Sequence, residues 1–153
     1  MQLYNTLSAK ERAELIEKAG KDRLTLSFYQ YAKIKNPQEF RDQLFIVWDK
    51  LDVLGRIYVA TEGINGQLSL PADRFNEFKT HLDTIDFLKD IRLNIAVEQD
   101  NMSFLKLKVK VRNKIVADGL NDNTFDVTNK GVHVGAEKFN ELIEDKKTVL
   151  VDM

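Results

Sequence analysis

The sequence predicts an α+β sandwich, and three observations carry that prediction. Two segments place apolar residues at helical spacing, four alternate apolar and polar residues with period two, and they follow one another in a recognisable order. With 153 residues, 43% apolar and 31% charged, the chain has the proportions of an ordinary folded protein and enough length for one core.

The elements are justified in turn. Ser8 and Glu11 form a capping-box pattern ahead of Leu15, Ile16 and Ala19, with Gly20 behind them, which predicts a short surface helix over 9–19. In LTLSFYQY at 24–31, Leu24, Leu26 and Phe28 alternate with Thr25, Ser27, Tyr29 and Tyr31; that is a strand. Asn36 caps a second helix, with Pro37 at its first position and Glu39 three residues after the cap. Phe40, Leu44, Val47, Trp48 and Leu51 then form one helical stripe. Two strand-like runs, 56–61 and 64–70, are separated by Glu62-Gly63, where Gly63 can take the positive φ of a tight hairpin turn. Asp73 opens a third helix, with Phe75, Phe78, Leu82 and Ile85 along one side. Finally Ile91, Leu93, Ile95 and Val97 alternate with Arg92, Asn94 and Ala96 as a fourth strand.

The order is βαββαβ, a ferredoxin-like arrangement in which two helices cover one face of a four-stranded antiparallel sheet. The opposite face then carries Tyr29, Tyr31, Tyr58, Asn65, Gln67, Arg92 and Asn94. Beyond it, 104–116 reads as an extra basic strand. Residues 118–135, rich in Gly, Asn, Asp and Thr, read as a linker. Residues 136–144 form a short helix, and 148–152 look like the start of a buried strand. The expected organisation is a helix in 1–20, the ferredoxin-like domain in 21–117, the linker, and the start of a truncated second domain in 136–153.

Composition narrows the function. The chain has no cysteine, which excludes disulfides, thiolate metal sites and cysteine chemistry within it. Its two histidines, His81 and His133, lack metal-site spacing, so no metal is expected. There is no Gly-rich phosphate loop, and no catalytic residue is assigned. Net charge is −1, so any pull toward nucleic acid must come from a local patch. No apolar run approaches the roughly 20 residues of a membrane span, and the N-terminus is too charged for a secretory signal. A cytoplasmic location and no membrane partner are expected.

The sharpest local feature is LKLKVKVR at 105–112. On a strand Lys106, Lys108, Lys110 and Arg112 share one side, Lys114 extends the row, and no acid interrupts it between Met102 and Ala117. Such a row attracts phosphates along a backbone; equally, lysines protect edge strands from aggregation. Tyr29, Tyr31 and Tyr58 form an aromatic group of the kind that stacks RNA bases. The usual RNP signatures are absent, and the three rings could instead pack against 104–116 or the N-terminal helix. In TEGING at 61–66, Glu62 and Asn65 are the candidate polar recognition point, or simply satisfy turn backbone. For His81, beside an apolar stripe, and His133, in the linker, structural or solvent roles are expected.

The segments FYQYAK at 28–33, GRIYVATEGINGQLS at 55–69 and LKVKVRNKIV at 107–116 together resemble the bacterial tRNA uridine hydroxylase family of rhodanese-domain proteins. The resemblance covers the chain from about Leu24 onward. It implies an N-terminal domain before a rhodanese domain, with TVLVDM at 148–153 as a stub of the latter and the active-site cysteine further along. It further implies tRNA and the protein's own rhodanese domain as partners. The implied reaction is oxygen-dependent formation of 5-hydroxyuridine at the wobble position, with molecular oxygen as co-substrate and no cofactor identified. On this reading the present chain binds rather than catalyses. Two other classes stay open: an accessory domain of a rhodanese sulfurtransferase, and a protein-interaction module whose sheet face docks on its own rhodanese domain.

Overall fold

A computed structural model describes residues 3–116, 119, 124 and 126–152. The first helix, α1 (Ala9–Ala19), starts at Ser8 with both hydrogen bonds of the capping box and ends at Gly20 in the left-handed conformation. It is followed by β1 (Arg23–Tyr31), α2 (Pro37–Lys50), β2 (Leu54–Ala60), β3 (Gly63–Pro71), α3 (Phe75–Asp83), β4 (Asn94–Ile95), β5 (Leu107–Val111) and α4 (Ala136–Glu144). The strands form one mixed sheet in the order β4-β1-β3-β2-β5. β5 runs parallel to β2, and the remaining pairs are antiparallel. No helix among the described residues is long and apolar enough to cross a membrane.

The core lies between α2 and α3 and one face of the sheet. Leu44, Phe45, Trp48, Phe78 and Leu82 meet Leu26, Phe28, Ile57, Val59, Ile64, Leu68, Leu107 and Val109 in one buried cluster. Trp48 sits at its centre, its ring centroid 5.3 Å from that of Phe78 and 6.3 Å from that of Phe28. Its indole N–H donates to His81 Nδ1 at 3.1 Å, which satisfies a buried donor and fixes the histidine proton on Nε2. Burial lowers the His81 pKa below its usual 6.5, so the ring is neutral near pH 7.

Several elements differ from the sequence expectations. The hairpin loop is Thr61-Glu62, and Gly63 already belongs to β3, opposite Ala60 and Tyr31. Gly63 does have positive φ, 148°, but its requirement comes from β1, because an added Cβ would collide with the Gln30 carbonyl. Asp73 does not cap α3, which is preceded by a 3-10 turn over Ala72–Arg74 with no side-chain cap. Its carboxylate instead pairs with Lys21.

The fourth strand shrinks to Asn94–Ile95. Ile91 and Leu93 are half-buried against the core, whereas Val97 is fully exposed. Side chains complete the edge that a longer strand would have paired. Gln99 Oε1 accepts from the Thr25 N–H at 2.7 Å, and Asn101 Oδ1 from the Arg23 N–H at 2.8 Å.

The basic strand is also shorter than 104–116. The expected strand at 148–152 does not form; those residues are exposed and carry no strand assignment. Part of the expected 118–135 linker lies outside the described residues. The helix at 136–144 forms as α4, with Phe139, Leu142 and Ile143 exposed.

Candidate nucleic-acid interface

The sheet face away from α2 and α3 is built from the alternate residues of each strand. Pairing registers align them into rows across the sheet. One row runs Lys108, Arg56, Gln67, Ser27, Asn94; the next runs Lys110, Tyr58, Asn65, Tyr29. No strand position on this face carries an acidic side chain. Arg56, Lys108, Lys110 and Arg112 are exposed, and Lys106 and Lys114 are half-buried. Arg56 and Lys108 are direct cross-strand neighbours, and like charges so placed repel. Neither joins an ion pair among the described residues.

Two structures wall this floor. At one end α1 closes over Arg23, which is only 3% exposed. The Arg23 guanidinium donates to the Asp52 carboxylate at 2.8 Å, the Asp52 carbonyl at 2.6 Å, and the Ser69 hydroxyl and carbonyl at 3.3 and 3.1 Å. Arg12 of α1 takes the other Asp52 carboxylate oxygen at 3.0 Å. Burial pushes the Arg23 pKa below the usual arginine value, and Asp52 opposes that shift. Asp52 adopts φ 54° just after α2, a left-handed position that aspartate tolerates better than most residues.

At the other end the chain leaving β5 folds back as a strap. The Ile115 N–H donates to Glu62 Oε1 at 2.9 Å, and Asn65 donates to the Ile115 carbonyl at 3.3 Å. Ile115 is 4% exposed. Glu62 and Asn65, the candidate recognition point, thus come together on a backbone segment of this same chain.

The three tyrosines separate. Tyr58 lies under Arg112, whose guanidinium carbon is 5.3 Å from the ring centroid. Tyr29 and Tyr31 contact each other edge to face at 6.0 Å, and Tyr29 is about half exposed. The outer edge of β5 is guarded by other residues: Asn5 makes both a donor and an acceptor bond to the Leu107 backbone, and Arg41 donates to the Val109 carbonyl at 3.0 Å. The lysines therefore project from the face and not along the edge.

Sequence reasoning missed Arg56 on this face, although its position two residues before Tyr58 in one strand marks it. The Arg23–Asp52 cluster left no local signal. Among the described residues no group of acidic, histidine or cysteine side chains could hold a metal ion. His81, whose pKa burial lowers, lies under the helices, away from this face.

Residues 23–115 match the family model described as the UPF0176 acylphosphatase like domain. The chain is 49% identical over 151 residues to a tRNA uridine(34) hydroxylase of Leptospira interrogans, covering 99% of this chain and 41% of that protein. Proteins of the same description from Hamiltonella defensa and Pectobacterium carotovorum are 43% and 45% identical, each covering 99% of this chain and 43% of theirs. The chain thus spans about two-fifths of the length of the curated relatives it matches. By the match over 23–115, with a five-stranded sheet covered by helices on one side, the chain belongs to the UPF0176 acylphosphatase-like domain family.

Proposed function

We propose that this chain is the N-terminal, tRNA-binding part of an oxygen-dependent tRNA uridine hydroxylase that forms 5-hydroxyuridine at the wobble position. The observation that carries the reading is the acid-free sheet face. Lys106, Lys108, Lys110, Arg112 and Arg56 are gathered on it with no carboxylate among the strand residues to balance them. A protein with net charge −1 and more acids than bases elsewhere has concentrated cations where they repel one another. An external polyanion relieves that repulsion, and phosphate contacts supply most sequence-independent nucleic-acid affinity. The edge-protection role is already filled by Asn5 and Arg41, which leaves the lysines without a structural duty there. Identity of 49% to a protein named as a tRNA hydroxylase supplies the substrate class.

In this division of labour the chain orients the RNA through its backbone, and the chemistry belongs to a rhodanese domain in the full-length protein. That domain is also the expected partner of this one, and the cytoplasm the expected location. The test is a tRNA titration with the chain carrying Lys106→Glu, Lys108→Glu and Lys110→Glu. Loss of binding with an unchanged melting curve is expected. Wild-type affinity in the triple variant would remove the basic face from the account.

A further inference from the structure

The row that begins at Lys110 ends at Tyr29, three strands away, or about 14 Å across the sheet. There the flat floor gives way to a cavity of about 430 Å³, a size suited to a small ligand. Its lining includes Tyr29, Arg92, Asn94, Lys130 and His133, with Ile91 as its aliphatic residue. A second, smaller cavity of about 260 Å³ adjoins it and shares Tyr29, Lys130 and His133. The segment carrying Lys130 and His133 therefore stands against the Tyr29 end of the sheet as a further wall.

The chemistry of the lining is specific. The side chains of Arg92, Asn94, Lys130 and His133 form no hydrogen bond or ion pair among the described residues. Arg92 and Lys130 bring positive charge, and among the described residues no acidic side chain lines either cavity, so an anionic group is favoured. The Tyr29 ring offers a half-exposed aromatic face. The Asn94 amide offers a donor and an acceptor side by side, which matches the edge of a heteroaromatic ring. An acyl chain would leave the two cations and the amide unused, and a bare phosphate would leave the ring and the amide unused. An aromatic ring, an amide and two cations around one space suit a base joined to a phosphate.

We propose that this cavity is a nucleotide subsite, which takes one unstacked nucleotide of a bound RNA strand. The base lies against Tyr29, the Asn94 amide reads its edge, and Arg92 with Lys130 holds its phosphate. The subsite rests on the reading of the sheet face as an RNA surface and extends it from backbone attraction to base contact. Single-stranded RNA is commonly held in this way, with a cationic track and an aromatic platform.

The experiment compares binding of a short oligouridylate and of an abasic strand of equal length to the whole chain. Tyr29→Ala is expected to weaken oligouridylate binding about tenfold, the usual range for a lost stacking platform, while leaving the abasic strand unaffected. Tyr29→Phe is expected to restore the affinity. Asn94→Ala, a substitution at an exposed residue, is expected to change the preference between oligouridylate and oligocytidylate. Wild-type binding by Tyr29→Ala, or equal losses for both strands, would overturn the subsite. The two readings fail separately. If Lys108→Glu with Lys110→Glu abolishes binding while Tyr29→Ala does nothing, the basic face stands and the subsite falls. If only Tyr29→Ala has an effect, the subsite stands and the basic face falls.

Discussion

Arg23 and Arg56 share one sheet face, two strands apart, and have opposite fates. Arg23 is buried, and every hydrogen bond of its guanidinium goes to Asp52 or Ser69. Arg56 is exposed, faces Lys108 across the strand pair and has no acid partner among the described residues. One cation holds the fold together: it ties the end of α2 to the sheet and, through Asp52, to Arg12 of α1. The other contributes nothing evident to folding. The contrast teaches that position in a sheet does not decide a charge's role. Whether the neighbouring residues neutralise it does.

The largest effect that would break this contrast is on binding. Lys108→Glu with Lys110→Glu should weaken tRNA binding on the order of a hundredfold at low salt, since each change removes one phosphate contact and adds repulsion. The same variant should melt like the wild type, because surface substitutions outside special features usually shift stability by less than about 0.5 kcal/mol. Filter binding and thermal unfolding on the same samples check both halves.

The reverse pattern is expected from the settled cluster. Asp52→Asn keeps the left-handed backbone but leaves Arg23 and Arg12 facing each other without a full counter-charge. A loss of about 2 kcal/mol in denaturant unfolding is expected, less than for a wholly buried pair because Asp52 is partly exposed. The surviving folded protein should bind tRNA with the wild-type salt dependence. A variant that bound poorly while remaining as stable as wild type would reverse the two roles.

The helix-covered side supplies the smallest test. His81 has its pKa lowered by burial, so the unfolded chain takes up the proton more readily than the folded one. Its contribution to stability is therefore complete above about pH 6.5 and is lost as pH falls through the lower folded value. Trp48 is the only tryptophan and donates to His81, so its fluorescence should change over that same interval. His81→Leu should abolish the fluorescence transition and cost about 1 kcal/mol through the unpaired indole N–H. A transition that persisted in His81→Leu would assign it to another group.

Much of this architecture was legible in the residues. The capping box at Ser8, the Asn36 cap with Pro37, and the stripe from Phe40 to Leu51 mark α1 and α2 because caps and helical spacing are local signals. The basic row was legible for the same reason, since period two puts Lys106, Lys108 and Lys110 on one side whatever they pair with. The run 91–97 was misread because alternation shows only that a segment can be a strand. Its length was decided by Gln99 and Asn101, whose side chains bond β1 residues 74 and 78 positions away. Neither the Arg23–Asp52 link, spanning 29 residues, nor the clamp of Glu62 and Asn65 on Ile115 has a local signature. Arg56 was the avoidable omission, since its parity with Tyr58 already placed it on the open face.

The central claim is that the unpaired charge on this face is there for phosphate, and Arg56 tests it most directly. The measurement is the salt dependence of tRNA affinity for wild type and Arg56→Gln, with the unfolding midpoint taken alongside. The account predicts a log–log slope shallower by about 0.7–0.9 in the variant, equal to one lost phosphate contact, and an unchanged midpoint. An identical slope and affinity, or a lowered midpoint that explains the loss, would contradict it.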